Sequence, residues 1–195
     1  MNINYIKNHY IFETLTNNHD LSNFECESKD LTEFLKNDAL KQQKNKLNLT
    51  KLIICDNEII GYFSLLTDTI PLKNIREKDT KKEIKNQLAI TSKNKLLPAI
   101  KIGRFAIDKK YARKGIGSDV LLNILYNIKN ISEKNVGLRF VVVEGYAKAY
   151  RFYTEYNNFN NLEKDDEKIK EKLDMIIKKN PEQTFYLYLD LRILE

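Results

Sequence analysis

Apolar residues along this chain fall into two rhythms that alternate from one end to the other. Short apolar runs at 11–15, 52–55, 59–66, 100–108, 138–143 and 184–191 have strand length. Between them lie segments with a three-and-four spacing. Leu31, Phe34, Leu35 and Ala39 form such a stripe in 28–44, with Ser28 as N-cap, and Ile116, Val120, Leu121, Ile124, Leu125 and Ile128 form one in 115–129. Asp56-Asn57 supplies turn residues for a hairpin between 52–55 and 59–66. Residues 147–156 predict a further helix, and the charged stretch 161–180 carries Ile169, Leu173, Ile176 and Ile177 at helical spacing, as expected of an exposed helix at the sheet edge. Segment 69–98 is polar and Lys-rich, with a helix predicted at 80–88, and reads as an insertion over one face. Strands separated by helices predict a layered α/β (α+β) domain. With no repeat or low-complexity linker, the expected organisation is one domain over 1–195.

The sharpest chemical signal sits where a strand enters the second of these helices. Ile102 to Asp108 lead into Lys109-Lys110-Tyr111-Ala112-Arg113-Lys114-Gly115-Ile116-Gly117-Ser118. Two glycines at a helix start let backbone approach a ligand, and the first-turn amides have no partner within the helix. With the helix dipole, Arg113 and Lys114 favour an anion there, phosphate in particular. Two nucleotide cradles fail on spacing. A P-loop needs four residues between its glycines and Lys after the second, whereas Gly115 and Gly117 are one residue apart and Lys114 precedes both. A dinucleotide fingerprint needs a third glycine at the place of Val120.

The run from Ala112 to Gly117 resembles motif A of the GNAT (Gcn5-related) N-acetyltransferases, in which Gln/Arg-x-x-Gly-x-Gly/Ala holds the pyrophosphate of acetyl-coenzyme A. Ala112 departs from the motif, with Arg113 beside it. Downstream, Ala149, Phe152, Tyr153 and Phe159 resemble motif B, with Asn158 where glycine is common and Tyr146 where the family has Asn. Asn tolerates the left-handed conformation that ends a helix. Further segments, at 24–26, 30–35, 39–43, 59–65 and 184–191, resemble the GNAT branch that includes toxins of toxin–antitoxin pairs.

That resemblance implies a mixed, mostly antiparallel sheet with a V-shaped splay and helices on both faces. It implies acetyl-CoA as co-substrate, held by backbone of Phe105, Ala106 and Ile107 and by a cradle of Arg113, Lys114, Gly115, Ile116, Gly117 and Ser118. Tyr153 is the implied catalytic residue, protonating the leaving thiolate. A phenol of pKa about 10 is protonated at neutral pH, and the thiol it serves lies at about 8.5. Asp108 and Glu144 are the candidates for a general base, each equally readable as a turn residue. The need for a base depends on the acceptor. An α-amine of pKa about 8 is partly neutral at pH 7, whereas lysine at about 10.4 is almost wholly charged. The implied acceptor is an amine, which in the toxin-like branch is the α-amine of aminoacyl-tRNA. An antitoxin and a second copy of the chain are the other implied partners, and a non-catalytic acyl-CoA-binding module is the alternative to an enzyme.

Composition narrows this only a little. The chain has 195 residues, 42% of them hydrophobic, enough for a sizeable core. A net charge of +6 suits an anionic partner such as coenzyme A or RNA, though a composition rich in Lys, Asn and Ile accounts for it equally. Cys26 and Cys55 lack metal-ligand spacing or a disulfide framework, so no metal is expected. His9 and His19 read as surface residues. Residues 1–12 carry Asn, Lys and His among the apolar positions, which predicts neither a signal peptide nor a membrane span, and so a cytoplasmic protein.

Overall fold

The structure is a computed structural model that describes residues 2–87, 95–162 and 166–194. β2 (Leu49–Cys55) and β3 (Glu58–Pro71) form the expected hairpin, each longer than the apolar run that announced it. Asp56 and Asn57 have φ of 46° and 62°, the left-handed backbone that a two-residue hairpin turn demands. β1 (Ile11–Thr14) pairs antiparallel with β2. β4 (Leu96–Ile107), β5 (Phe140–Tyr146), β6 (Asn160–Asn161) and β7 (Thr184–Asp190) complete seven strands among the described residues, in the order β1-β2-β3-β4-β5-β7-β6. β5 pairs antiparallel with β7 along its full length, and β6 with β7. The sheet is thus mostly antiparallel, within a mixed α/β fold.

Several boundaries differ from the sequence reading. α1 (Ile3–His9) was not foreseen; Asn2 caps it and Ile6 is its buried anchor. The helix expected at 28–44 is α2 (Lys29–Glu33), a π-helical turn (Phe34–Asp38) and α3 (Ala39–Lys44), with Ser28 accepting from the Leu31 amide as N-cap. Its wide turn has a packing reason. Five residues of regular α-helix would leave Phe34 and Ala39 about 140° apart, whereas the bond from the Ala39 amide to the Phe34 carbonyl brings both to the core side. β4 starts at Leu96 and β3 runs to Pro71, so the ends of the 69–98 segment are strand. α4 (Lys78–Gln87) corresponds to the helix predicted at 80–88, whose last residue lies outside the described residues. α5 (Ile116–Lys134) is longer than predicted, as is β5 at its carboxyl end. α6 (Tyr150–Thr154) is shorter than the 147–156 predicted, because Ala147–Ala149 form a 3₁₀ turn. α7 (Asp166–Lys179) buries Ile169 and Leu173.

The chain divides into two compact units, residues 1–66 with 102–124, and residues 67–101 with 125–195. In the first, Leu15, Phe24, Phe34, Leu35, Leu52 and Tyr62 form the core. Tyr62 sits edge-on to Phe24 and stacked on Phe34, and its hydroxyl donates to the Leu31 carbonyl at 2.7 Å. In the second, Ile70, Leu72, Leu97, Phe140, Val142 and Tyr188 pack together. The Tyr188 hydroxyl donates to Glu77 at 2.6 Å and accepts from the Arg76 amide at 2.9 Å. Each fully buried aromatic or aliphatic side chain contributes about 1.5–3 kcal/mol, so these clusters outweigh the surface ion pairs around them.

Candidate functional site

In the first unit, β4 ends at Ile107 and the chain turns through Asp108 to Gly115 before α5 begins. Asp108 organises this turn. Only 3% exposed, it accepts from the Glu25 amide at 3.1 Å and the Lys110 amide at 2.9 Å, while its carbonyl accepts from the amides of Tyr111 and Ala112. Its own amide donates to the Ile60 carbonyl at 2.7 Å, tying the turn to β3. Bonds from backbone amides to a carboxylate contribute about 1.5–3 kcal/mol each, so Asp108 holds the turn far more firmly than exposed ion pairs could. It is therefore a turn residue, buried and with its carboxylate committed to backbone amides.

The basic residues of the turn are already engaged. Lys109 pairs with Glu25, Lys110 with Glu58 at 2.9 Å, and Arg113 with Glu27 at 2.9 Å, while Lys114 donates to the Lys110 carbonyl at 2.7 Å. Burial pushes the Tyr111 phenol up, as does its bond to Glu58. Arg113 and Gly115 have φ of 58° and 76°. The left-handed Gly115 turns the chain into α5, which opens at the buried Ile116, with Gly117 and Ser118 in its first turn. A β-carbon at Gly115 would stand 3.4 Å from Lys7 Nζ on α1. Lys7 was missed in the sequence. The signal available was the amphipathic start Asn2, Ile3, Ile6, too short to register beside longer helices.

Phe105 and Ile107 are half-buried and Ala106 buried at the end of β4. A β-carbon at Gly61 would stand 2.5 Å from the Ala106 carbonyl oxygen, so glycine there lets β3 lie close to this strand end. The sequence placed Gly61 in a family-like segment without showing this purpose.

In the second unit, β5 passes Gly145 and Tyr146 into the 3₁₀ turn and α6, which carries Tyr153. Tyr153 is 7% exposed, edge-on to both Phe152 and Phe159. After α6, Asn158 takes φ of 58° and the Phe159 amide returns to the Tyr153 carbonyl at 3.0 Å, the left-handed helix end that asparagine permits. Among the described residues the hydroxyls of the other buried tyrosines, Tyr62, Tyr111, Tyr150 and Tyr188, all have polar partners, but that of Tyr153 has none. Burial alone pushes its phenol well above the ordinary value, so it stays protonated across the neutral range.

Glu144 faces outward from β5 beside this turn. It pairs with Lys101 at 2.8 Å and accepts from Thr184 at 3.0 Å, and the bond from Lys101 holds its carboxyl below the usual range. Burial pushes Lys101 down, but its bonds to Glu144 and to Tyr186, 2.9 Å away, raise it overall. Cys26 and Cys55 are buried and unpaired with each other. His9 is exposed and stacked on Tyr5, and His19 is half-buried beside Glu13. Among the described residues, no three His, Cys, Asp or Glu side chains are grouped to hold a metal, and no helix is long and apolar enough to cross a membrane.

No protein-family model and no curated protein matches this sequence. Solved structures do match it in fold. AtaT complexed with acetyl-methionyl-tRNAfMet superposes with a TM-score of 0.72 at 21% identity, covering 95% of this chain and 96% of the other. A tyrosine-to-phenylalanine variant of KacT gives 0.72 at 18% identity, covering 95% and 97%. The AtaTR complex bound with acetyl-CoA gives 0.68 at 22% identity, covering 96% of each. The chain therefore shares the fold of AtaT and KacT, the GNAT fold that the resemblance implied.

Proposed function

We propose, from the fold shared with AtaT and KacT and the motifs it carries, that this protein is an acetyl-CoA-dependent N-acetyltransferase acting on the α-amine of aminoacyl-tRNA. The observation that carries the chemical part is the Tyr153 hydroxyl: protonated, on a side chain only 7% exposed, and without a protein partner among the described residues. That oxygen is not one of the fully buried polar atoms left unpartnered, so it reaches a surface where a ligand can meet it. Acetyl-CoA supplies the activated acetyl group. The neutral acceptor nitrogen bonds to the carbonyl carbon and sheds a proton to solvent, the carbon–sulfur bond breaks, and Tyr153 gives its proton to the departing sulfur, recovering one from solvent. The backbone of Phe105, Ala106 and Ile107 orients the acyl arm. The backbone of Arg113, Lys114, Gly115, Ile116, Gly117 and Ser118 holds the pyrophosphate, chiefly through the first-turn amides of α5. The left-handed Gly115 fits that task, since a φ of 76° there would strain any residue that carries a side chain.

The acceptor class follows from which carboxylates are uncommitted. Asp108 is bound into its turn, and Glu144 is held ionised by Lys101, so neither is suited to take a proton from an ammonium. An acceptor that needs no base is favoured, and an α-amine of pKa about 8 meets that condition where lysine does not. AtaT complexed with acetyl-methionyl-tRNAfMet supports the same acceptor. The AtaT toxin has also been solved bound to the carboxyl terminus of its antitoxin AtaR, which supports an antitoxin for this chain.

The test is labelled acetyl-CoA offered with charged tRNAs and a panel of free amines. Acetylated aminoacyl-tRNA is expected, with Tyr153→Phe lowering turnover roughly 10²–10⁴-fold while acetyl-CoA affinity holds. Transfer to lysine side chains but to no charged tRNA would overturn the acceptor. Transfer to no amine at all would reduce the protein to a binding module.

A further inference from the structure

We propose that Lys7 is the cradle's working cation, reaching from α1 to the pyrophosphate; this rests on the acetyl-CoA reading above. Charge alone would assign that task to the turn, where four basic residues follow Asp108. Their partners say otherwise. Lys109, Lys110 and Arg113 face Glu25, Glu58 and Glu27, and Lys114 is spent on the Lys110 carbonyl. Lys7 is the exception: among the described residues its ammonium has no ion pair or hydrogen bond, and it lies 3.4 Å from the position a β-carbon would take at Gly115.

Its backbone is well anchored. Asn2 caps α1 through the Asn4 amide at 2.9 Å, and Ile6, the neighbouring residue, is wholly buried. Beyond the helix, Tyr10 donates to Asp119 at 3.1 Å in the first turn of α5. Only the lysine side chain must become ordered to meet an anion at Gly115, which limits the entropy lost on binding.

Two features of the cradle call for such a cation. The motif's Gln or Arg position is Ala112, which has no side-chain donor. Asp119 also brings a carboxylate to the turn whose amides would bind the anion, opposing a second negative charge. An ammonium from another element answers both.

Isothermal titration of the whole protein with acetyl-CoA, with its 3′-dephospho form and with phosphate-free S-acetylpantetheine tests the assignment. Lys7→Ala should weaken acetyl-CoA and the dephospho form alike by roughly tenfold, Lys7→Arg by much less, and Lys7→Glu by more. S-acetylpantetheine should bind every variant equally, with melting temperatures unchanged. If Lys7→Ala binds acetyl-CoA normally while Gly115→Ala does not, Lys7 has no part and the cradle stands. If the Lys7 effect disappears with the dephospho form, the pyrophosphate assignment is wrong. If the wild-type protein binds no acetyl-CoA, the cradle reading falls and takes Lys7 with it.

Discussion

Gly145 and the ring of Tyr153 are in such close apposition that a β-carbon at Gly145 would stand 3.0 Å and 3.1 Å from ring carbons Cε2 and Cδ2. The ring therefore has a flat strand surface under it and Phe152 and Phe159 at its edges. A glycine on β5 thus sets where the phenol sits, although neither motif includes it.

Gly145→Ala should displace that ring by a few tenths of an ångström. Turnover is expected to fall about tenfold with acetyl-CoA affinity unchanged, since reacting groups tolerate little misplacement. Combined with Tyr153→Phe it should add almost nothing, because the phenol it misplaces is already gone. Full turnover in Gly145→Ala would show that the ring position is not limiting.

Glu144→Gln should leave the pH profile of turnover unshifted if Glu144 is no base. Its effect on stability has a definite sign. The bond from Lys101 lowers the folded pKa below 4.5, so the contribution is present at neutral pH and lost only as pH falls through that lower value. Wild type should be the more stable at neutral pH, and its acid titration and that of the variant should converge as pH falls below about 4.5. Loss of the acidic limb of the activity profile would reinstate Glu144 as a base.

Burial pushes the phenols of Tyr10, Tyr111, Tyr153 and Tyr188 up, so the fold prefers them neutral. Their contribution is complete below the unfolded value of about 10 and declines as pH rises beyond it. Absorbance titration near 295 nm should show some of the 11 tyrosines ionising only together with alkaline unfolding. Tyr153→Phe should move that unfolding to higher pH. Reversible ionisation of every tyrosine in the folded protein would contradict their burial.

Gly61→Ala puts a β-carbon 2.5 Å from a backbone carbonyl that cannot swing aside. We expect it to destabilise by about 2 kcal/mol or more, read from urea midpoints, and to weaken acetyl-CoA binding by shifting Phe105, Ala106 and Ile107. A variant as stable as wild type would mean that β3 and the end of β4 separate freely.

Arg139 forks onto Asp190, with Nε–Oδ2 at 2.9 Å and a terminal nitrogen at 2.7 Å, both side chains about four-fifths covered. Arg139→Ala leaves that carboxylate half-buried without its partner, and should cost about 1–3 kcal/mol in denaturant midpoint. Adding Asp190→Ala should recover part of the loss, since the stranded charge is then removed. Losses that simply add would show that the two groups do not interact.

Local signals carried much of this protein. Asp56-Asn57, Ser28 and Asn158 announced a hairpin turn, an N-cap and a helix end because each acts on backbone within a few residues. The stripe from Ile116 to Ile128 announced α5 for the same reason, and every member is buried. The spacing of Gly115 and Gly117 and the Phe152-Tyr153 pair pointed to the acetyltransferase fold, since both are contiguous in sequence. What sequence could not convey is which charges are already taken. Arg113 and Lys114 read as the charges of the anion grip, and only tertiary contacts reveal that Glu27 takes Arg113, as Glu25 and Glu58 take the neighbouring Lys109 and Lys110. Those partners come from chain segments distant in sequence, so no spacing rule encodes them. Lys7, Gly61 and Gly145 likewise have meaning only through what packs against them. The lone Tyr153 hydroxyl belongs to the same class: a hydrogen bond that other buried tyrosines make, and this one does not, is a property of the folded surroundings.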